Sequence, residues 1–369
     1  MNEVQELVAN GLSRRALIRG AGAATVLAAA GPLGWRAARA ATTLDVLMAP
    51  SPVRPELLDI FEKQTGIRVR PGSYVSPTDS MSKLLSGTAR FSLLNTLSDL
   101  VRPSLSEAVD RNLLLPLDLA QIPNVKYIAD LSKSDILIKD GKTYSLPIYW
   151  GYNAVLYNRK YIPDSEPLVN SWGLLFDDKF KGRVALRDNA HESLHLTALY
   201  MGHKRPLEMD RSDLKELVRF LVSKKRNFRA LWSKFSEAIQ LMANNEVHAM
   251  FGWLLMRKTL QTQGMDIAGN HPKEGLLWWV HAAFIPRQSP NPEDAYKWLN
   301  FLLSAEYGAK LTELAGVLST SQLAKDSFSP EMQKTHGYDI LERGGPMVRL
   351  GLPKHFDLWL EAWAEFKAA

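Results

Sequence analysis

The chain alternates segments that have the hydrophobic pattern of strands with segments that have the pattern of helices, and this alternation restricts its fold most. Residues 43–48 have a strand pattern, and residues 55–64 have a helix pattern that stops at Gly66. Residues 183–186, 247–253 and 276–285 have the pattern of further strands. Strands that alternate with helices predict a layered α/β architecture.

The first forty residues have the order of an export signal: charged, apolar, then small. Residues 13–19 (SRRALIR) contain two adjacent arginines, and the Ala-rich stretch 21–30 is too short to span a bilayer. Residues 38–40 (ARA) supply the small residues that signal peptidase needs. Residues 1–40 resemble a twin-arginine signal peptide, which predicts export of a folded protein to the periplasm. A buried amphipathic N-terminal helix is the less favoured interpretation.

Composition excludes several classes of protein. The chain of 369 residues has no cysteine, which excludes disulfides, thiol nucleophiles, Cys-ligated zinc and a lipid anchor on cysteine. Its net charge of +6 falls to +3 when residues 1–40 are removed, and no dense basic cluster remains, so a nucleic-acid partner is not expected. No apolar run of membrane length follows residue 40, so we expect a mature form that is not anchored in a membrane.

Residues 191–195 (HESLH) match the H-E-x-x-H pattern of zinc hydrolases. On a helix, this spacing places His191 and His195 one turn apart, with Glu192 as the base. A catalytic zinc needs a third protein ligand, and the downstream acids Glu208 and Glu216 lie in no recognisable motif. A zinc hydrolase is therefore a distant alternative for this chain.

Glu192 also has an explanation as part of a helix start. Asn189 followed by Glu192 three residues later is a capping pattern. A helix N-terminus at a cleft is also a common place for ligand groups, so capping and ligand contact both remain open.

Three tryptophans lie at strand ends, where aromatic walls can enclose an organic cation or an aliphatic stem. They are Trp150, Trp253 and Trp279. His281 interrupts an apolar strand two residues after Trp279. A lone histidine in such a strand is more often structural than ligand-binding.

From residue 43 onward, the chain resembles the periplasmic spermidine/putrescine-binding proteins of ABC importers. The similar segments keep the order and spacing of that family, and they are residues 61–67, 117–124, 144–153, 171–172, 180–184, 250–253, 272–279 and 300–303. The resemblance implies a two-lobed periplasmic binding protein of type II, with hinge crossovers near Gly151, Trp278 and Lys325 and closure over a ligand. It implies a first lobe of residues 41–151 and 279–325, and a second lobe of residues 152–278 and 326–369.

The family's acidic ligand residues are only partly kept. In polyamine-binding members, two acids three residues apart begin the helix after the strand that ends here at Leu186, and these positions are Asn189 and Glu192. A third acid corresponds to His281, and a tyrosine of the first lobe corresponds to Asp99. Because a buried ammonium needs a carboxylate partner, a monoamine, diamine or zwitterion is favoured over a long triamine.

We therefore expect a monomeric solute-binding protein that captures a small polar, amine-bearing solute such as a polyamine and delivers it to an inner-membrane ABC permease. We expect no enzymatic activity and no cofactor or metal. A zwitterionic or anionic solute, such as an amino-acid derivative or a phosphonate, is the alternative. The expected ligand-binding residues are Glu192, Trp253, Trp279, His281, Asn189, Asp99 and Trp150.

Overall fold

The computed structural model describes residues 42–87 and 90–369, so the expected signal peptide lies outside the described residues. The strands are β1 (Thr43–Leu47), β2 (Arg68–Gly72), β3 (Leu93–Leu97), β4 (Leu137–Lys139), β5 (Lys142–Asn158), β6 (Val184–Arg187), β7 (Phe228–Trp232), β8 (Ala249–Trp253), β9 (Ile267–Gly269), β10 (Leu276–Phe284), β11 (Leu318–Ser319) and β12 (Met347–Arg349). The helices are α1 (Pro55–Thr65), α2 (Pro77–Leu85), α3 (Ser98–Asp110), α4 (Asp130–Lys133), α5 (Ala190–Tyr200), α6 (Arg211–Lys224), α7 (Phe235–Ala243), α8 (Leu254–Thr262), α9 (Pro292–Phe301), α10 (Ala305–Ala315), α11 (Gln322–Asp326), α12 (Pro330–His336) and α13 (Phe356–Ala368).

Local sequence accounts for the limits of several elements. Helix α1 ends at Gly66, which adopts φ 70° and donates its N–H to the Glu62 carbonyl, a conformation that favours glycine. Helix α6 begins at a capping box formed by Asp210 and Asp213, and its apolar stripe is buried. The structure confirms the helix predicted at residues 55–64 and the strands predicted at residues 43–48, 183–186, 247–253 and 276–285, with shifts of one or two residues at their ends.

The strands form one continuous mixed sheet in the order β2-β1-β3-β10-β5-β8-β6-β7. Strands β1, β2 and β3 are parallel at one end, and β6, β7 and β8 have parallel pairings at the other. The long strands β5 and β10 pair antiparallel in the middle and join the two ends. This arrangement confirms the mixed α/β class.

Two large hydrophobic cores lie on either side of β5 and β10. The first packs β1 and α1 against α9 and α10, and includes Phe61, Trp298 and Tyr307. The second packs β6 and β8 against α5, α6 and α13, and includes Trp172 and Trp359. These two cores define the lobes of the two-lobed fold. A smaller group, the hinge cluster, lies between them and contains Trp150, Tyr152, Ala154, Leu254, Leu276, Trp278, Val280, Leu318, Phe328, Tyr338 and Ile340.

Strand β5 carries a glycine opposite Trp279 of β10. Gly151 pairs with Trp279, and a Cβ atom at Gly151 would lie 2.5 Å from Cζ2 of the Trp279 ring. A side chain at position 151 would therefore displace that ring. Within the described residues, no helix is long and apolar enough to cross a membrane.

Candidate ligand-binding site

The carboxyl ends of strands from both lobes meet at the middle of β5 and β10. Strand β12 runs parallel to Leu276–Trp278 of β10. Strand β3 pairs antiparallel with His281–Phe284 on the same edge of β10. The carboxyl ends of β3 and β12 therefore point toward each other at positions 279 and 280. Ligands of open α/β sheets commonly bind beyond the carboxyl ends of strands, so this junction is the candidate site.

Glu192 lies in the first turn of α5 and is already paired with an arginine. Asn189 caps the helix, because its Oδ1 accepts the Glu192 N–H at 3.0 Å. The Glu192 carboxylate accepts a hydrogen bond from Nη1 of Arg187, the last residue of β6, and a longer one of 3.5 Å from Asn153. Its side chain is 8% exposed. Burial raises the pKa of Glu192, and the Arg187 charge opposes that shift.

Trp253 stacks on the same arginine. The centre of the Arg187 guanidinium lies 4.5 Å from the Trp253 ring centroid, within the range of a cation–π interaction. Trp253 ends β8 and precedes α8, and its side chain is partly exposed. A cation of the protein itself therefore covers one face of this tryptophan.

Trp279 and Trp253 line a small cavity at the junction of the lobes. The Trp279 indole Nε1 donates to Asn153 at 3.1 Å, so Asn153 connects this ring with Glu192. The cavity has a volume of about 140 Å³ and is also lined by Ser51, Gly151 and Gly316, among others. Pockets for drug-sized ligands measure about 300–1,000 Å³, so this volume suits a small solute.

His281 lies on the same face of β10 as Trp279 and stays neutral. Its ring stacks on Tyr149 with centroids 4.5 Å apart, and its Nδ1 lies 3.2 Å from Nδ2 of Asn95. Burial lowers the pKa of His281 to about 3. A neutral imidazole can donate or accept one hydrogen bond per nitrogen, and it adds no charge to the site.

Asp99 belongs to a second ion-pair group, which joins the start of α3 to the end of β12. It accepts hydrogen bonds from the Val280 N–H at 2.9 Å and from Nε of Arg349. The two other nitrogens of the Arg349 guanidinium donate to Asp135, and its centre lies 4.2 Å from the Trp278 ring. Burial raises the pKa of Asp99 to about 6, although Arg349 opposes the shift.

The structure places the remaining expected ligand residue, Trp150, in the hinge cluster. Trp150 is 2% exposed and packs edge-to-face on Trp278 at 6.2 Å. It faces away from Gly151 and Trp279, because successive residues of a strand point to opposite faces. This position favours a packing role, and ligand contact by Trp150 stays a prediction.

Sequence reasoning missed Arg187, Asp135 and the role of Arg349. Arg187 could have been found, because it directly follows the apolar run of β6 and lies five residues before Glu192. The contacts between Arg349 and the two aspartates join positions 214 and 250 residues apart, and no local pattern reveals them.

The H-E-x-x-H residues do lie on a helix, but they do not form a metal centre. His191 Nε2 contacts the Gly351 carbonyl at 2.7 Å, and both ring nitrogens of His195 are buried without a partner in the described structure. Burial lowers the pKa of His191 to about 4 and that of His195 to about 3. Residues 42–87 and 90–369 contain no cluster of three His, Asp or Glu side chains placed to hold a metal ion. The zinc-hydrolase alternative is therefore unsupported.

Two lobes joined by crossing strands, with charged and aromatic groups at their junction, are the architecture of a solute-binding protein. Residues 56–338 match the family described as bacterial extracellular solute-binding protein. The chain belongs to this family.

Curated relatives and solved structures agree with this assignment. The chain is 27% identical over 293 residues to the spermidine/putrescine-binding periplasmic protein of Escherichia coli (strain K12). This alignment covers 76% of this chain and 78% of that protein. It is 26% identical to the putrescine/agmatine-binding protein of Pseudomonas aeruginosa, covering 74% and 76% of the two chains.

Among solved structures, a putative spermidine/putrescine ABC transporter protein from Listeria monocytogenes superposes with a TM-score of 0.71 and 26% identity, over 89% of this chain and 99% of that one. The protein is thus a periplasmic solute-binding component of an ABC transporter, as the sequence predicts, and its relatives are binding proteins of transporters.

Proposed function

We propose that the solute is a small amine-bearing molecule, captured between the lobes and delivered to an inner-membrane ABC permease by a monomeric protein without catalytic activity. The relatives named for spermidine, putrescine and agmatine support an amine. The observation that supports it most within this chain is a surplus of carboxylate charge at the lobe junction.

That surplus arises because two aspartates share one guanidinium. The side chains of Asp99 and Asp135 are 3% and 1% exposed, and Arg349 is the cation that pairs with both. Two buried carboxylates beside one arginine leave a net charge of −1 when both are ionised. An ammonium group would balance that charge, and buried charges are stable only when they are paired.

The small cavity beside Trp253 and Trp279 supports a short solute over a long triamine. Its volume of about 140 Å³ is below the range of drug-sized pockets. The aromatic rings can enclose an aliphatic stem, which loses contact with water on closure.

Thermal unfolding of the mature protein with putrescine, spermidine and a monoamine tests this proposal. A ligand at one hundred times its Kd stabilises the folded form by about 2.7 kcal/mol, which raises Tm measurably. Asp99→Asn should weaken the binding of the best amine by about tenfold or more, because it removes one carboxylate of the surplus. The exposed Asp110→Asn is the matched control. If no amine raises Tm, the proposed solute class is wrong.

We also propose that the lobes close over the solute about crossovers at residues 151–152, 278–279 and 325–326, with the lobe limits that the sequence predicts. The two separate cores on either side of β5 and β10 support this division. Small-angle scattering should show a smaller radius of gyration at saturating ligand. An unchanged profile at saturation would contradict closure.

Export by the twin-arginine route stays part of this proposal. Changing Arg14 and Arg15 to Lys should leave the precursor in the cytoplasm, because the paired arginines are the signal that this route recognises. Normal periplasmic accumulation of the double variant, measured by cell fractionation, would contradict it.

A further inference from the structure

The guanidinium of Arg187 is only partly used by the protein. A guanidinium carries five N–H donors arranged on two edges, each of which can bind a carboxylate through two parallel hydrogen bonds. Glu192 accepts from Nη1, and in the described part of the chain neither Nε nor Nη2 donates to another residue. The edge formed by Nε and Nη2 is therefore unoccupied.

The Arg187 side chain is held against aromatic rings and remains partly exposed. The Trp253 ring lies 4.5 Å from the guanidinium centre, and the Trp232 ring lies 5.7 Å away. The Arg187 side chain is still 26% exposed. A cation held against aromatic rings loses less freedom when it binds a second group, so it is a preorganised receptor.

The neighbouring acid does not compete for Arg187. Asp188 accepts hydrogen bonds from Nε1 of Trp363 at 2.7 Å and from Nζ of Lys367 at 3.2 Å, so it is tied to the C-terminal helix α13. Arg187 and Glu192 form a pair with no net charge. The position where a solute ammonium could stack on Trp253 and meet Glu192 is already taken by Arg187.

We propose that the solute carries a carboxylate as well as an amine, and that the carboxylate binds the Nε and Nη2 edge of Arg187. This inference rests on the proposed capture of an amine-bearing solute and names its second functional group. A planar carboxylate matches the edge of a guanidinium with two hydrogen bonds. A phosphonate, which can carry two negative charges, would need more positive charge than one arginine that already faces Glu192.

A matched set of three probes separates the two groups of the solute. Putrescine, 4-aminobutyrate and butyrate share a four-carbon chain and differ only at its ends. Wild-type protein should bind 4-aminobutyrate more tightly than putrescine or butyrate, measured by calorimetry at neutral pH. Arg187→Gln should weaken 4-aminobutyrate binding by about tenfold to a hundredfold, and should not weaken putrescine binding, because the Glu192 carboxylate is then left without its cation.

Two further variants distinguish the loss of a carboxylate site from misfolding. Arg187→Lys keeps the charge without the planar edge and should bind 4-aminobutyrate with intermediate affinity. Arg183→Gln changes an exposed arginine just before the same strand, whose side chain donates to the Asn245 carbonyl at 3.4 Å, and should bind as wild type does. Tm measurements show whether each variant is folded.

The outcomes distinguish this inference from the proposed function. If wild type prefers putrescine, or if Arg187→Gln weakens putrescine and 4-aminobutyrate equally, the carboxylate site is wrong while amine capture stands. If wild type binds butyrate as tightly as 4-aminobutyrate and no amine binds, amine capture is wrong. If none of the probes binds, both are overturned.

Discussion

Arg187 and Arg349 have similar surroundings, but their charge balance differs. Each guanidinium lies over a tryptophan ring, at 4.5 Å from Trp253 and 4.2 Å from Trp278. Arg187 pairs with one carboxylate and keeps one edge unoccupied. All three guanidinium nitrogens of Arg349 donate hydrogen bonds to the two carboxylates of Asp99 and Asp135.

This difference shows that the number of acidic residues does not by itself predict what charge a solute should carry. Glu192 is the acidic ligand residue of the resembling family that this chain keeps, but the charge of Arg187 balances it. Asp99 replaces a tyrosine expected from the resemblance, and it contributes to the surplus negative charge. The Arg187–Glu192 pair and the group of Arg349 with its two aspartates together suit a molecule with an amine at one end and a carboxylate at the other.

The largest expected effect is the loss of Arg349. Arg349→Gln leaves Asp99 and Asp135 buried without a cation, and removing one partner of a buried ion pair costs about 3–5 kcal/mol. Because Arg349 is 28% exposed, we expect the lower end of that range. Urea unfolding measures the change in the free energy of unfolding.

The control for this prediction is Arg343→Gln, an arginine that pairs with Asp339 one helical turn away and is 38% exposed. Its loss should cost less than about 1 kcal/mol. Adding Asp99→Asn to Arg349→Gln should recover part of the stability, because the uncompensated charge is gone. Equal effects of Arg349→Gln and Arg343→Gln would show that Arg349, Asp99 and Asp135 do not form a buried ion-pair network.

The second prediction concerns Glu192, the acid of the balanced pair. Glu192→Gln leaves Arg187 with an uncompensated positive charge, so 4-aminobutyrate should bind about tenfold more tightly and putrescine about tenfold more weakly. Tm should fall less than in Arg349→Gln, because the charge left behind, on Arg187, is 26% exposed and Asn189 still caps the helix. Calorimetry with both probes measures the two shifts. A loss of affinity for both probes would place the solute amine on Glu192 instead.

The third prediction uses the raised pKa of Asp99, about 6. Asp99 is ionised at pH 7 and mostly protonated at pH 5, so putrescine should bind up to about tenfold more weakly at pH 5. The stability of the folded protein has the opposite pH dependence. The folded protein holds the Asp99 proton more tightly than the unfolded chain does, so the contribution of Asp99 to stability falls as pH rises from about 4 to 6. Asp99→Asn should remove the change in affinity. The same pH dependence in that variant would exclude Asp99 as its source.

The sequence predicts the fold better than it predicts the site. Elements with a strong local pattern, such as α1 and β10, lie close to their predicted limits. Strand β5 extends over 17 residues although it contains Pro147 and Gly151, which are turn signals in a sequence. It continues through Pro147 because the pairing with β10 shifts register there, and such an irregularity tolerates a residue without an N–H.

The site is less predictable because ion pairing depends on contacts between distant parts of the chain. Glu192, Trp253 and Trp279 can be found from short motifs, and the structure brings all three near Asn153 or Arg187. The Asp99–Arg349 contact joins the end of β3 to the end of β12, and only the sheet register brings these residues together.

The smallest expected effect is at His195, which lies one turn beyond His191 on α5. Its two ring nitrogens are buried without a partner, and replacing such a group with an apolar side chain costs little or stabilises the protein. His195→Leu should therefore change the free energy of unfolding at pH 7 by less than about 1 kcal/mol and leave probe binding unchanged. Because burial lowers the pKa of His195 to about 3, the wild type loses stability as pH falls below about 6.5, and the variant should lose less. Added zinc should raise the Tm of neither protein, since the described residues offer no third ligand near this pair. A zinc-dependent rise in Tm that disappears in His195→Leu would instead show that α5 holds a metal.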